Sequence, residues 1–473
     1  MTATGSGVSS ASRIHKLEAT FELVTPAFVA GACPQRAELR LPSILGPLRF
    51  WWRALAWSRT TGSDDEACLK QMRNWESALF GGPAAYDTNG RPTVGQGSFI
   101  GRLVVDEGTV IRASHSMRHT PGGYTLDELE NAEAWDRGSG INYLAGQGLS
   151  RQCILPGMKF TVHLRSRVPF RDDLIEAVRV FGLIGGIGSR SRRGFGSVKL
   201  KTLVGTNAGN AAEQVSEQWK VPSKTSEYRT YLSSLLPKPD PAYDAFNTPF
   251  TSLTPASRIV LISDTTSAPQ IHDRMGHYLH YFRSYGYGSG GRRFAGGVEV
   301  TNPNFKPDHD WFCKVVSSIS QTVPPLSLKD TGPQRAIFGL PHGYFTRGKN
   351  CNPDYTVKLS EPTTDRRASP LFLHIHSFDN KQQAAVWIFL PGQFSAAHSG
   401  THIPALVTRI QTDKICKDGK PVKDRKGKTL TKRVPHEPPW EVQVPISYEP
   451  IEHFLSRDRG PLPNDAVYLG PNR

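Results

Sequence analysis

Apolar and polar residues alternate from His15 to Val24. Leu17, Ala19, Phe21 and Leu23 fall on one side and Lys16, Glu18, Thr20 and Glu22 on the other, the period of a half-buried strand. Gly46-Pro47 then leads into Leu48–Trp57, where Leu48, Trp51, Trp52 and Leu55 recur at helical spacing and the proline suits a first turn. A second helix is predicted from Asp64 to Phe80, closed by Gly81-Gly82-Pro83. Strands are expected at residues 97–105 and 158–165. Between them, residues 106–157 are rich in Gly, Arg, His and Tyr and read as an excursion from the sheet rather than as core. Asp172–Ile184 begins with acidic residues and places apolar ones at 174, 175, 178 and 181, predicting a third helix, and Ser197–Val204 alternates as a strand. The resulting order is the β-α-β-β-α-β plan of a ferredoxin-like (RRM-like) domain, whose open sheet face is a common platform for single-stranded RNA.

From Gly205 to Pro255 the composition shifts to Asn, Ser, Lys and Pro, with Pro237-Lys-Pro-Asp-Pro241 as a stiff segment. The domain junction is placed there: a first domain over 1–204 with insertion 106–157, a linker over 205–256 and a second domain over 257–473. In the latter, Ser257–Asp264 reads as a strand, Ile271–Tyr285 as a helix, and Arg335–Leu340, Pro370–His376 and Ala384–Leu390 as strands. Lys414–Arg433 is dense in lysine and carries turn signals at Asp418-Gly419 and Lys426-Gly427. It predicts a basic hairpin within an insertion at 411–435, dispensable to the core and either solvated or in contact with RNA. The expected fold class is therefore α+β, with two ferredoxin-like domains and insertions.

Charge narrows the partners. The 473 residues carry a formal net charge of +15, which favours an anionic partner, and the clustering of arginines points to nucleic acid rather than to a membrane surface. No run approaches the ~18 apolar residues of a spanning helix, and the start of the chain has no signal-peptide core, so a cytoplasmic location is expected. The six cysteines are scattered, without a Cys-x-x-Cys pair, and indicate neither a disulfide framework nor a zinc ribbon.

The densest chemistry lies in Gly185-Gly-Ile-Gly-Ser-Arg-Ser-Arg-Arg-Gly-Phe-Gly-Ser197. Gly185, Gly186, Gly188, Gly194 and Gly196 would let backbone N–H groups approach an anion. Ser189 and Ser191 add hydroxyl donors, and Arg190, Arg192 and Arg193 supply forks matched to phosphate oxygens. The loop follows a helix and precedes a strand, and it lacks Gly-Lys-Ser/Thr, which argues against an ATPase and for a loop that follows a polyanion. A related run follows the helix of the second half, where Gly288-Ser289-x-x-Arg292-Arg293 matches Gly188-Ser189-x-x-Arg192-Arg193. Arg49 and Arg53, four apart on a helix, read either as solvated or as a pair gripping phosphates, and Arg366-Arg367 stands at the mouth of a strand. His115 with His119, His277 with His280, and His374 with His376 are the candidates for acid-base work. None has a third ligand or a nucleophile nearby in sequence, so no catalytic residue, metal or cofactor is expected.

With these pieces in place, the sequence resembles the RAMP superfamily of CRISPR proteins, and within it the subunit-one family of type III-B Cmr effector complexes. The residues that carry the resemblance are Leu48-Arg-Phe-Trp-Trp-Arg-Ala54, Gly185–Val198, and Phe338-Gly-Leu-Pro341 with Arg366-Arg-Ala-Ser-Pro-Leu371. The resemblance implies two ferredoxin-like domains and an RNA-binding subunit near the 3′ end of a guide RNA, with guide RNA, target RNA and other effector subunits as partners. In the backbone subunit of such complexes an aspartate near the first strand and helix cleaves the target. Here residues 25–43 contain no Asp or His, which implies a subunit without an active site. A guide-processing endoribonuclease of the same superfamily and a capping subunit that docks only on protein are the alternatives.

Overall fold

The computed structural model describes residues 14–470 apart from short stretches, chiefly 113–116, 127–139, 147–151, 208–213, 241–247, 287–291, 318–331, 346–354, 394–401, 422–430 and 436–438. The first half runs β1 (His15–Leu23), α1 (Leu41–Ala56), α2 (Asp65–Phe80), β2 (Phe99–Val105), α3 (Gly140–Ala145), β3 (Lys159–Ser166), α4 (Asp172–Ile184), β4 (Val198–Asn207) and β5 (Gln214–Gln218). These strands form one antiparallel sheet in the order β5-β4-β1-β3-β2. The alternation in β1 does what its period dictates: Leu17, Ala19, Phe21 and Leu23 are buried towards α1 and α4.

After α5 (Thr225–Leu235) come β6 (Arg258–Asp264), α6 (Ala268–Arg283), α7 (Lys306–Ser317), β7 (His342–Phe345), β8 (Tyr355–Ser360), β9 (Leu371–Ser377), β10 (Gln383–Phe389), β11 (His402–Lys414), β12 (Thr431–Pro435), β13 (Trp440–Pro445), α8 (Glu449–Phe454) and β14 (Val467–Leu469). A second antiparallel sheet has the order β9-β10-β6-β14. Counting each sheet's strands as first to fourth along the chain, β2-β3-β1-β4 and β9-β10-β6-β14 are both second-third-first-fourth. A third sheet, β7-β8-β11-β12 with β13 also on β11, completes the α+β architecture.

The halves share their interior. Trp51 and Trp52 of α1, Val178 and Phe181 of α4 and Tyr228 of α5 belong to one core with Ile259, Leu261, Phe372, Val386 and Ile388 of the second sheet. That sheet's opposite face packs on Ile271, Met275 and Phe282 of α6 and on Ile451 and Phe454 of α8. Being covered on both faces, β10 reads Ala-Ala-Val-Trp-Ile-Phe without alternation, as a fully buried strand should. The first sheet's far face stays open, with Ile100 66% exposed.

Several expectations are corrected. Helix α1 begins at Leu41, not Leu48, so Pro42 holds the first turn and Pro47 lies inside, where burial of Ile44 and Leu48 carries the helix past it. The 106–157 excursion is in part core: Ile141, Leu144 and Cys153 are fully buried. Inside the linker range, β5 extends the first sheet and α5 packs in the shared core, with Tyr228 Oη donating to the Leu183 carbonyl. Residues 335–340 hold a 3-10 turn, Gln334–Phe338, because Ala336, Ile337 and Phe338 are buried in succession and cannot alternate. The basic stretch is not separate from the sheet, since β12 pairs with Ile410–Lys414.

Candidate nucleic-acid interface

The glycine loop is built from backbone. Gly185 caps α4 through its N–H to the Phe181 carbonyl, Ile187 N–H donates to Gly196 O (2.9 Å), Ser189 N–H to Phe28 O (2.9 Å), and Gly196 N–H to Pro26 O (2.8 Å). Gly188, Gly194 and Gly196 have φ of 78°, 81° and 63°. A Cβ at Gly188 would meet Phe28 O at 2.5 Å, and one at Gly196 would meet Ile187 O at 2.1 Å. These glycines are therefore required by the chain's approach to itself, which the sequence reading had assigned to an anion.

The same loop is stitched to β9. Leu373 N–H donates to Arg192 O (3.0 Å), Ile375 N–H to Ser197 Oγ (3.1 Å), and His374 Nδ1 lies 2.9 Å from Gly185 O. On the other side His272 Nε2 sits 2.9 Å from Arg193 O and stacks edge-on against Phe195. Burial brings His272 down to about 4 and His374 to about 3, so both are neutral donors to carbonyls at pH 7. His376 lies behind His374, flat against Tyr228. The paired histidines of β9 are thus structural. Of the other candidates, His115 lies outside the described residues.

The three loop arginines diverge. Arg192 lies against the Phe372 ring (4.3 Å) and the neighbouring Phe50 ring (5.3 Å) and donates to the Ser369 carbonyl. Arg193 is largely buried and faces the Arg283 and Arg190 guanidinium groups. Burial first and like charge second pull Arg192 and Arg193 each down to about 10, which leaves them charged at pH 7. Arg190 alone is exposed, at φ 63°, with Nε donating to Ala145 O (2.8 Å) at the end of α3. Gly186 and Ser191 are half-buried beside it.

The remaining candidates are scattered. Arg49 and Arg53 converge on one carboxylate, Glu76, at 2.8 and 3.2 Å. Arg292 is bridged to Glu299 at 2.7 Å, whereas Arg293 lies over the Tyr285 ring at 4.3 Å. The Gly288-Ser289 part of the second loop lies outside the described residues. Arg367 is largely buried, with its backbone paired to Leu340, and Arg366 is exposed.

What the sequence reading missed is the seam that joins the two loops. From Arg190 and Arg193 the cationic line continues to Arg283, which lies 3.3 Å from His342 Nδ1, and then to Arg335, whose Nη1 donates to Arg283 O. It ends at Arg293 and His309, whose imidazole is held below its usual value by burial first and by Arg293 and Arg335. Burial, followed by Arg283, Arg335 and Arg193, holds His342 well below the ordinary imidazole value. Asp308, buried, answers Arg335 at 3.1 Å. Flat ring pairs stand along the line: Tyr143 on His280 (4.4 Å, 17°) and Tyr285 on His309 (3.7 Å, 8°). Arg190 is exposed and Arg293 half-exposed, Arg283 is buried behind them and Arg335 is paired to Asp308, a line of charge that suits the phosphates of a single strand. The one sequence signal was Arg283-Ser-Tyr285, a cation and a ring at a helix end just before a glycine loop. Among the described residues no cluster of His, Cys, Asp or Glu could hold a metal ion, and no helix is long and apolar enough to cross a membrane.

Residues 20–199 match the family model described as the RAMP superfamily. CRISPR system Cmr subunit Cmr1-1 of Pyrococcus furiosus is 28% identical over 165 residues, which are 34% of this chain and 40% of that relative. The apo crystal structure of Cmr1 from Pyrococcus furiosus superposes at 18% identity and a TM-score of 0.34, covering 82% of this chain and 92% of that one. A type III-B Cmr-β complex bound to cognate target RNA contains a chain that superposes at 11% identity and 0.42, covering 80% and 94%. Those superpositions are weak and carry no argument; what the comparisons show is that residues 20–199 are similar to the RAMP superfamily.

Proposed function

We propose that the chain is an RNA-binding subunit of a type III-B CRISPR effector complex in the cytoplasm, holding guide RNA towards its 3′ end and helping to capture target RNA, without an active site of its own. The observation that carries this reading is the seam of Arg190, Arg193, Arg283, Arg335 and Arg293 with its stacked Tyr143 and Tyr285. Arg190 and Arg293 meet phosphate directly, and Arg193 and Arg283 act from behind as fixed charge. Arg192, Gly194 and Gly196 hold the loop's shape. The match to a Cmr subunit supplies the effector complex, and its other subunits, as partners. The shared strand order of the first two sheets supports two ferredoxin-like domains, the plan expected of such a subunit.

Fluorescence anisotropy with labelled single-stranded RNAs of unrelated sequence tests the reading. The Arg190→Ala/Arg293→Ala variant should bind all of them more weakly, and the slope of log affinity against log salt should fall by about 1.4, ~0.7 for each phosphate contact. Unchanged affinity and slope with an unchanged unfolding curve would sink it, and RNA cleavage by the isolated chain would favour the endoribonuclease.

A further inference from the structure

Strand β2 is the outer strand of the first sheet, and its free edge is unguarded. Its seven residues pair with β3 in unbroken register, without a bulge or a proline, and among the described residues no strand takes up the N–H and C=O groups of the other edge. Edges of this length invite a further strand, and proteins ordinarily blunt them with charges, prolines or bulges. Here Ile100, Val104 and Val105 are 66%, 39% and 40% exposed around a single guanidinium, Arg102. Phe99 and Leu103 pack on the core, whereas Ile100, Arg102 and Val104 stand on the open face opposite Arg165, His163 and Thr161 of β3.

The charges around this edge select its occupant. Arg102, Arg165 and Arg167 are exposed, and Arg102 makes no ion pair among the described residues. The carboxylates of the same face are taken, Glu18 by His163 at 3.2 Å and Glu22 by Lys199 at 3.7 Å, and Asp106 lies past the end of the strand. A second copy of this chain fits poorly, because the antiparallel register that pairs all seven residues sets Arg102 against Arg102. RNA fits poorly too, since the open side of β2 offers no ring on which a base could stack.

We infer that β2 takes an extended acidic segment of a partner protein as a sixth strand of the first sheet, with apolar side chains beside Ile100 and Val104 and a carboxylate beside Arg102. Main-chain hydrogen bonds supply the grip, and the alternate side chains choose the partner. No residue of the seam belongs to β2, so the inference stands whether or not the seam binds RNA.

The probe is a fluorescein-labelled peptide in which valine, glutamate and valine alternate with threonine, titrated into the full chain and followed by anisotropy. One control peptide carries lysine in place of the glutamate, and another has N-methylated amides. Saturable one-to-one binding of the glutamate peptide is expected, with the lysine peptide roughly tenfold weaker and the methylated one not binding. Arg102→Glu should reverse the preference between glutamate and lysine, and Ile100→Asp should weaken the glutamate peptide by a similar factor. Both positions are exposed, and thermal unfolding checks that the variants fold. Amide hydrogen exchange within residues 99–105 should slow when the peptide binds. Absence of saturable binding to the folded wild-type chain overturns the inference. So does binding that tolerates N-methylation or ignores Arg102→Glu, because the peptide would then not be an added strand at this edge. Displacement of the peptide by single-stranded RNA would assign the edge to nucleic acid. Sedimentation that shows self-association lost in Ile100→Asp would assign it to a second copy, and either result overturns the protein-partner reading.

Discussion

Arg190 and Arg192 stand two positions apart in one loop and are identical in the sequence, yet the fold gives them opposite environments. Arg192 lies against a pair of packed phenyl rings and donates to a carbonyl, whereas Arg190 reaches solvent. Arg192→Ala should therefore destabilise the protein by about 2 kcal/mol, the loss of a desolvated cation–π contact and a hydrogen bond, while Arg190→Ala should leave the unfolding midpoint almost unchanged and weaken RNA binding. Chemical denaturation and anisotropy on the two variants separate the effects; an unchanged midpoint for Arg192→Ala would contradict its structural role. Residue type alone could show that the loop is cationic. It could not show which arginine faces inward, because that depends on Phe372, far away in sequence. The buried histidines add a pH dependence. In the unfolded chain they take up protons near 6.5, but in the folded protein His272 does so only near 4 and His374 near 3. The unfolded state therefore binds more protons below pH 6.5. Stability is full above that value and falls as pH drops towards 4, by up to about 1.4 kcal/mol per pH unit for each histidine. Urea midpoints at pH 7 and pH 5 measure the loss, and His374→Gln should flatten it.

At the scale of elements, the short helix α3 shows how an insertion becomes part of the frame. Gly140 and Gly276 bring α3 and α6 so close that a Cβ on Gly276 would meet Gly140 O at 2.1 Å, and Asp273 Oδ1 accepts from Ile141 N–H at 2.9 Å. The end of α3 then supplies the Ala145 carbonyl that receives Arg190, and Tyr143 stacks on His280 of α6. Gly276→Ala should force the helices apart, lowering stability by about 1–3 kcal/mol and loosening both Tyr143 and Arg190. Thermal unfolding with RNA anisotropy reads both, and a stable variant with weakened RNA binding would show that α3 positions the seam without bearing on the core. From the sequence, residues 106–157 looked peripheral because glycines and polar residues break their apolar residues into runs too short to show a period. Six residues of helix with Ile141 and Leu144 give too short a period to recognise. Strands β1, β2, β3, β9 and β10 were legible because each is long enough to alternate or to run continuously apolar. The third sheet was not, since β7 and β8 are short and the next strand in the sheet, β11, pairs with β8 from some fifty residues on. Its pairing also changes the expectation for the basic stretch. Deleting Lys414–Arg433 removes three of the five β11–β12 pairs, whereas deleting 422–430 removes none. The longer deletion should lower the melting temperature by several degrees and the shorter should not, a difference that scanning calorimetry resolves.

For the whole molecule, the question is whether the two halves are separable bodies, as a linker at 205–256 would make them. The described contacts argue otherwise. Phe50 and Trp51 of α1 pack on Phe372 of β9 at 5.5 and 5.9 Å, and Tyr228 of α5 lies flat on His376 at 4.4 Å. Lys199 and Lys201 of β4 both reach Asp379 in the turn between β9 and β10. The glycine loop of the first half takes hydrogen bonds from Leu373 and Ile375 of the second. Neither half can bury Trp51 or Phe372 alone, and a half that leaves them in water loses about 1.5–3 kcal/mol for each such side chain. The full chain should therefore unfold in a single cooperative transition, with tryptophan fluorescence, which samples both halves, and far-ultraviolet circular dichroism falling on one curve in urea. Residues 1–204 expressed alone should show helix and strand but no sharp transition, and mixing with residues 257–473 should not restore one, because α5 is missing from both pieces. A fragment of 1–256 supplies α5 and gives the pair its best chance of reassembly. If residues 1–204 instead melt sharply on their own and bind RNA with the affinity of the full chain, the seam is not shared between the halves, and the grip on RNA belongs to the first domain by itself.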